Sequence, residues 1–167
     1  PDRVVPMLPE VLSADVCSLK AGAPRAAMAC HLAFDAGGKV TAMRFSRAVV
    51  RIAEVIAYEE AQARIDEERA EPHLVHLWEA WRALAKARAG RDPLDLDLPE
   101  RQVKLDEQGR IASIALRERL DAHRLVEDFM IAANVAAAKA LEAKAAPVVY
   151  RVHEPPNREK LVALKDY

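Results

Sequence analysis

His123, Glu127 and Asn134 are three polar side chains of different chemistry, spaced four and seven residues apart in one alanine-rich stretch. Each residue of an α-helix turns about 100°. That spacing therefore puts an imidazole, a carboxylate and an amide in one narrow stripe, interleaved with Met130, Ala137 and Leu141. A simple amphipathic helix has no need of such a mixture. One reading is a helix lining a site, where Glu127 and Asn134 exchange hydrogen bonds with a ligand and His123 flanks them. The other is a boundary face whose polar groups are satisfied by neighbouring loops, and periodicity alone leaves both open. His123 and Glu127, at i and i+4, are also half of a metal site. No third ligand follows at a matching spacing, so no metal is assigned to them.

The helix that carries the stripe is expected from Ala122 to about Lys144, capped by Asp121 and stopped by Pro147. Leu125, Val126, Phe129, Ala133, Ala136 and Ala140 share a face that must be core, while Arg124, Asp128, Lys139 and Glu142 share one expected to be solvated. Upstream, Pro1 to Pro9 holds three prolines and is expected to be extended or looped. Ala26–Phe34 and Val40–Val50 are β-compatible and flank Asp35-Ala36-Gly37-Gly38, which predicts a hairpin. Ile52–Ala70 is free of Gly and Pro and rich in helix formers, so a helix is expected there. Pro72 suits the first turn of a second helix that Gly90 and Pro93 end near Ala89.

Leu94–Leu98 alternates with period two, as a half-buried strand does. Val103–Leu105 and Ile111–Leu116 flank Asp106-Glu107-Gln108-Gly109, a second hairpin. Val148–Val152 is expected to be a short strand, and Pro155-Pro156-Asn157 to open a last helix. The order ββ, αα, βββ, α, β, α, with antiparallel hairpins among helices, argues for an α+β fold.

Composition narrows the class. The chain has 167 residues, 51% of them hydrophobic, and a net charge of −1. That is enough apolar surface for a core and too little charge for a disordered chain. The near-neutral sum gives no basic signature of nucleic-acid binding, although charge can be local. Cys17 and Cys30 are too few for a disulfide framework and suit a reducing cytosol, so a cytoplasmic location is expected. No apolar run approaches the ~18 residues of a membrane span, and no membrane partner is expected. No secretory pattern stands at the start. A chain that begins Pro1-Asp2-Arg3 reads as the middle of something longer.

Three separated motifs carry a resemblance. Val5-Pro6-Met7-Leu8-Pro9-Glu10 with Leu12-Ser13 and Cys17-Ser18-Leu19 is the first; Asp121 through Asn134 is the second. Tyr150-Arg151-Val152-His153 with Pro155 and Pro156 is the third, and Leu94–Glu100 with its following hairpin falls in order between them. Together they resemble the catalytic domain of RNase II/RNase R-type (RNB-domain) exoribonucleases over nearly the whole chain.

The resemblance implies a processive 3′→5′ hydrolase of single-stranded RNA that releases nucleoside 5′-monophosphates. It implies two Mg²⁺ ions that hold the scissile phosphate and activate water. In this family a cluster of aspartates upstream of the Pro-Met-Leu-Pro motif binds those ions, and neither that cluster nor the flanking OB-type RNA-binding domains is in this sequence. The chain is thus expected to be a partial RNB domain over residues 1–167, inactive alone, with single-stranded RNA and the missing parts of its own chain as partners.

By the same resemblance, Tyr58 matches the tyrosine that positions the 3′-terminal nucleotide, and Glu127 the glutamate near the 3′ end. Read without it, Tyr58 is a half-buried helix tyrosine. His123, Asn134, Arg151 and Arg25 lie at matching positions and are substrate-binding candidates. Leu96 stands where the family has an aromatic clamp, so it can pack on a base but offers no π-face. Glu54-Val55-Ile56-Ala57 replaces a basic residue and a Leu-Thr pair, which removes a positive charge just before Tyr58. Two other functions stand beside the nuclease reading: a non-catalytic RNA- or protein-binding homologue, and an α+β domain with an unrelated small-molecule site.

Overall fold

Two aspartates, Asp35 and Asp106, open the two hairpin turns among the described residues, and both turns are built alike. The structure is a computed structural model that describes residues 4–90, 101–116 and 118–165. Strand β1 (Pro24–Phe34) pairs antiparallel with β2 (Val40–Arg51), and β3 (Arg101–Leu105) with β4 (Ile111–Leu116). In the first turn Asp35 Oδ1 accepts from the amides of Gly37 at 2.9 Å and Lys39 at 3.0 Å. In the second, Asp106 Oδ1 accepts from Gln108 at 3.0 Å and Arg110 at 2.8 Å. Gly38 and Gly109 follow at φ of 76° and 75°. The left-handed residue shifts the pairing register beside each turn, which is the bulged form of a short hairpin loop. The strand expected at Leu94–Leu98 lies outside the described residues.

The helices are α1 (Tyr58–Asp66), α2 (Pro72–Ala89), α3 (Asp121–Glu142) and α4 (Arg158–Lys165). The core sits where the first three meet. Leu74, Trp78 and Trp81 of α2 pack with Ala122 and Leu125 of α3, and Ala61 and Ile65 of α1 close over them. Trp78 is only 3% exposed and meets Trp81 edge-on at 5.8 Å. Burying one such side chain contributes about 2–3 kcal/mol. Phe34 of β1 meets Phe129 of α3 edge-on at 6.3 Å, which ties the hairpin to the same helix. Hairpins and helices in this order make an α+β fold, as expected. The chain divides into two compact units, Pro1–Ala136 and Ala137–Tyr167.

Three local expectations are corrected and one element was not foreseen. The helix expected over Ile52–Ala70 is shorter, because Ile52 still belongs to the extended chain. It bridges Ala21 in parallel and its carbonyl accepts from Gly22 at 2.8 Å. The β-branched Val55 and Ile56 prolong that extended run, and the helix starts only at Tyr58. Asp121 lies inside the first turn of α3 rather than before it and pairs with Arg124 at 3.6 Å. Val148–Val152 forms no strand, since no described residue pairs with it; Tyr150 instead donates its hydroxyl to Glu142. Val11–Val16 winds into a π-helical turn that the sequence reading did not foresee.

Gly38 is buried against α2. A Cβ placed there would lie 2.0 Å from the carbonyl oxygen of Ala83 and 2.9 Å from Cβ of Ala87, whereas one on Gly109 would meet nothing within 4 Å. Gly109→Ala therefore isolates the cost of a left-handed alanine, about 1 kcal/mol. Gly38→Ala adds a backbone collision and should cost ~3 kcal/mol or more. Chemical unfolding of the two variants checks this, and equal losses would contradict the close approach.

Candidate functional site

Tyr58 is the first residue of α1, and Gln62 stands one turn later on the same face. Both reach α3. The Tyr58 ring stacks on His123 with centroids 4.3 Å apart and planes 25° from parallel. Gln62 Oε1 accepts from the amide of Ala122 at 3.1 Å, taking one of the donors left open at a helix start. Arg64, further along α1, bonds Glu54 at 2.7 Å, Glu60 at 2.9 Å and Glu71 at 3.2 Å, and so holds the segments before and after the helix. These carboxylates push the Arg64 guanidinium well above its ordinary range, the Glu54 hydrogen bond most of all.

The His123 ring is fixed from a second direction. Its Nδ1 accepts from the amide of Leu120 at 3.3 Å. An imidazole nitrogen accepts only when it carries no proton, so this bond selects the tautomer with its hydrogen on Nε2. Nδ1 is thereby spent on the backbone, and Nε2–H remains to donate.

Tyr58, His123, Val126, Glu127, Met130, Ile131 and Asn134 line one open cleft of about 330 Å³. The mixed stripe of α3 thus faces a cavity that α1 completes with Tyr58, itself 39% exposed. Glu127 is held between two arginines. Arg88 Nη2 stands 3.4 Å from Oε1, and Arg119 Nη2 donates to Oε2 at 2.8 Å. Chemically, the cleft offers a stacked aromatic pair, a carboxylate that accepts, an amide that both accepts and donates, and an apolar wall.

Asp128, expected on the solvated face, is 6% exposed. The reason lies on α2. Trp81 donates its indole N–H to Oδ2 at 2.9 Å, and Arg88, two turns along the same face, bonds Oδ1. With both oxygens satisfied the carboxylate can be buried. The bond to Asp128 is the main cause that raises the Arg88 guanidinium above its ordinary range; partial burial opposes it. Sequence reasoning missed Arg88, Arg119, Gln62 and this role of Asp128. The seven-residue spacing of Trp81 and Arg88 was a signal, because it sets two donors on one face of α2.

The remaining candidates lie elsewhere. Arg25 of β1 donates to the Ser18 carbonyl at 3.0 Å and to Asp15 at 3.3 Å, outside the cleft lining. Arg151 is exposed and belongs to the second compact unit. Leu96 lies outside the described residues. Among the described residues no group of three or more His, Cys, Asp or Glu is arranged to hold a metal ion. They do not supply a seat for the Mg²⁺ pair that the resemblance implies.

A family model, described as the RNB domain, matches residues 1–167. The chain belongs to the RNB-domain family. Ribonuclease R of Aquifex aeolicus (strain VF5) is 39% identical over 96% of this chain, which covers 24% of that protein. Ribonuclease R of Vibrio cholerae serotype O1 is 35% identical over 100% of the chain, covering 21% of its own length. The structure of Mycoplasma genitalium RNase R in complex with ribose methylated single-stranded RNA matches 98% of this RNB chain with a TM-score of 0.85 and 26% identity, over 27% of its length. The RNB chain therefore spans about a quarter of the relatives it matches. The resemblance read from Pro6-Met7-Leu8-Pro9 and from Asp121–Asn134 holds for the whole sequence.

The state of His123 can be checked directly. In ¹⁵N-resolved spectra of its side chain at neutral pH, Nε2 should appear as the protonated, pyrrole-like nitrogen and Nδ1 as the bare one. The opposite tautomer would mean that the Leu120 amide is not its donor.

Proposed function

We propose that this chain is part of a 3′→5′ exoribonuclease that hydrolyses single-stranded RNA to nucleoside 5′-monophosphates, and that its cleft receives the 3′-terminal nucleotide. One observation carries the reading: Tyr58 and Glu127, 69 positions apart in sequence, line the same cleft together with His123 and Asn134. Its volume of about 330 Å³ is at the small end of what ligand pockets offer, a few hundred Å³ upward. The chemistry also suits a nucleotide. The exposed face of the Tyr58–His123 stack is a platform for a base or a ribose. Glu127 presents carboxylate oxygens, each already facing one arginine, whose remaining lone pairs can accept from sugar hydroxyls. Asn134 can serve either edge of a base. The Mycoplasma genitalium relative, whose structure holds ribose methylated single-stranded RNA, shares this fold.

The rest of the reading follows from the family. Mg²⁺ would supply phosphate activation, with ligands from outside the residues described here. The fragment alone is then inactive, and the remainder of a longer chain is the partner for exposed apolar side chains such as Met28 and Val49. No helix among the described residues is long and apolar enough to cross a membrane; the cytoplasm, where RNA turnover takes place, is the proposed location.

Two measurements test this. The chain by itself, given Mg²⁺ and a 5′-labelled oligoribonucleotide, should release no mononucleotides; robust release would show that the chemistry is complete within it. In the full-length protein that carries the chain, Tyr58→Ala should change the length of the final product more than the rate of earlier cuts. An unchanged product ladder would count against the placement of Tyr58 at the terminal nucleotide.

A further inference from the structure

Arg88 does not line the cleft, yet it holds a residue that does. Its guanidinium reaches two consecutive side chains of α3: Nη1 bonds Asp128, and Nη2 stands 3.4 Å from Glu127 Oε1. The two grips differ in kind. Asp128 is buried, at 6% side-chain exposure, and its second oxygen is occupied by the Trp81 indole at 2.9 Å. Glu127 is open, at 40% exposure, and has Arg119 on its other oxygen at 2.8 Å. The Asp128 end is an anchor and the Glu127 end is a lever.

We propose that Arg88 is a positioning residue: anchored by the buried Asp128, it fixes the Glu127 carboxylate in the wall of the cleft. The proposal rests on the reading of the cleft given above. Three arguments carry it. A free glutamate has three rotatable bonds, and ordering it when ligand arrives costs about 0.5–1.5 kcal/mol. A planar fork holds two donors at a fixed separation that can meet neighbouring carboxylates together, whereas a lysine ammonium is a compact point charge without that fork. An exposed pair such as Arg88–Glu127 adds ~1 kcal/mol or less to stability, so its effect falls on geometry rather than on folding. Supporting side chains of this sort decide whether a site is held tightly enough to act.

The test is a double-mutant cycle on the full-length protein with Mg²⁺ and a single-stranded oligoribonucleotide. Glu127→Gln should lower kcat/KM about tenfold, the loss of one charge-assisted hydrogen bond. Arg88→Met should lower it by several-fold in the native background and by almost nothing in the Glu127→Gln background. Its unfolding midpoint should fall, because the buried Asp128 loses a partner, whereas that of Glu127→Gln stays close to the parent, so activities are compared well below both midpoints. Arg88→Lys, which retains the charge without the fork, should fall between parent and Arg88→Met, and it carries the same cycle if Arg88→Met does not fold. Effects that multiply in the double variant would overturn the positioning role and leave the cleft reading standing. An unchanged kcat/KM for Glu127→Gln would remove the cleft reading itself, and this inference with it.

Discussion

A carboxylate can be withdrawn from water only if its oxygens find other donors, and Asp128 meets that condition with two residues of a single neighbouring helix. Trp81 takes one oxygen and Arg88 the other. Since the donors are two turns apart on α2, the pair sets both the rotation of α3 about its axis and its sliding position along α2. Everything on the mixed stripe inherits that setting. Glu127 precedes Asp128 by one residue and so emerges at the rim; His123 and Asn134 follow from helical periodicity. Apolar packing of Trp78, Leu74 and Leu125 supplies the bulk of the attraction, but such contacts tolerate sliding. The hydrogen bonds do not.

The cleft is a meeting of two helices that are far apart in sequence. α1 contributes a ring and an amide at adjacent turns; α3 answers with His123 and the amide of Ala122. Family membership and this geometry bear on different questions. The match over residues 1–167 says what kind of domain this is. The convergence of Tyr58, His123, Glu127 and Asn134 on one cleft is the geometry on which the proposed nucleotide site rests.

Much of this was legible in the chain and some was not, for identifiable reasons. Hairpins announce themselves locally, through an aspartate, a glycine and alternating flanks, and both were read to within about two residues. Helix α2 begins at its proline and ends at its glycine. The stripe on α3 was visible because 3.6-fold periodicity is a property of one segment. What periodicity cannot report is the neighbour. Asp128 lies on a face that looks solvated until Trp81 and Arg88 are brought against it. The start of α1 was misplaced because Ile52–Ala57 holds no Gly or Pro to mark a break, while Ile52 is tied to Ala21 by a bridge. The capping of α3 by Gln62 joins residues 60 apart, which no local rule anticipates.

The seat of Gly38 explains a feature of composition that otherwise looks idle. Helix α2 is rich in alanine, and Ala83 and Ala87 are the residues the hairpin tip touches. Nothing wider than a hydrogen atom fits between tip and helix at that point, so Gly38 and Ala87 share one allowance of volume beneath the Ala83 carbonyl. The constraint falls on Gly38 and Ala87, since Ala83 meets the tip through its backbone carbonyl: a longer side chain at Ala87 would need the whole hairpin to back away, and with it Phe34 from Phe129. Among relatives, the residues at 38 and 87 should be exchanged together or not at all.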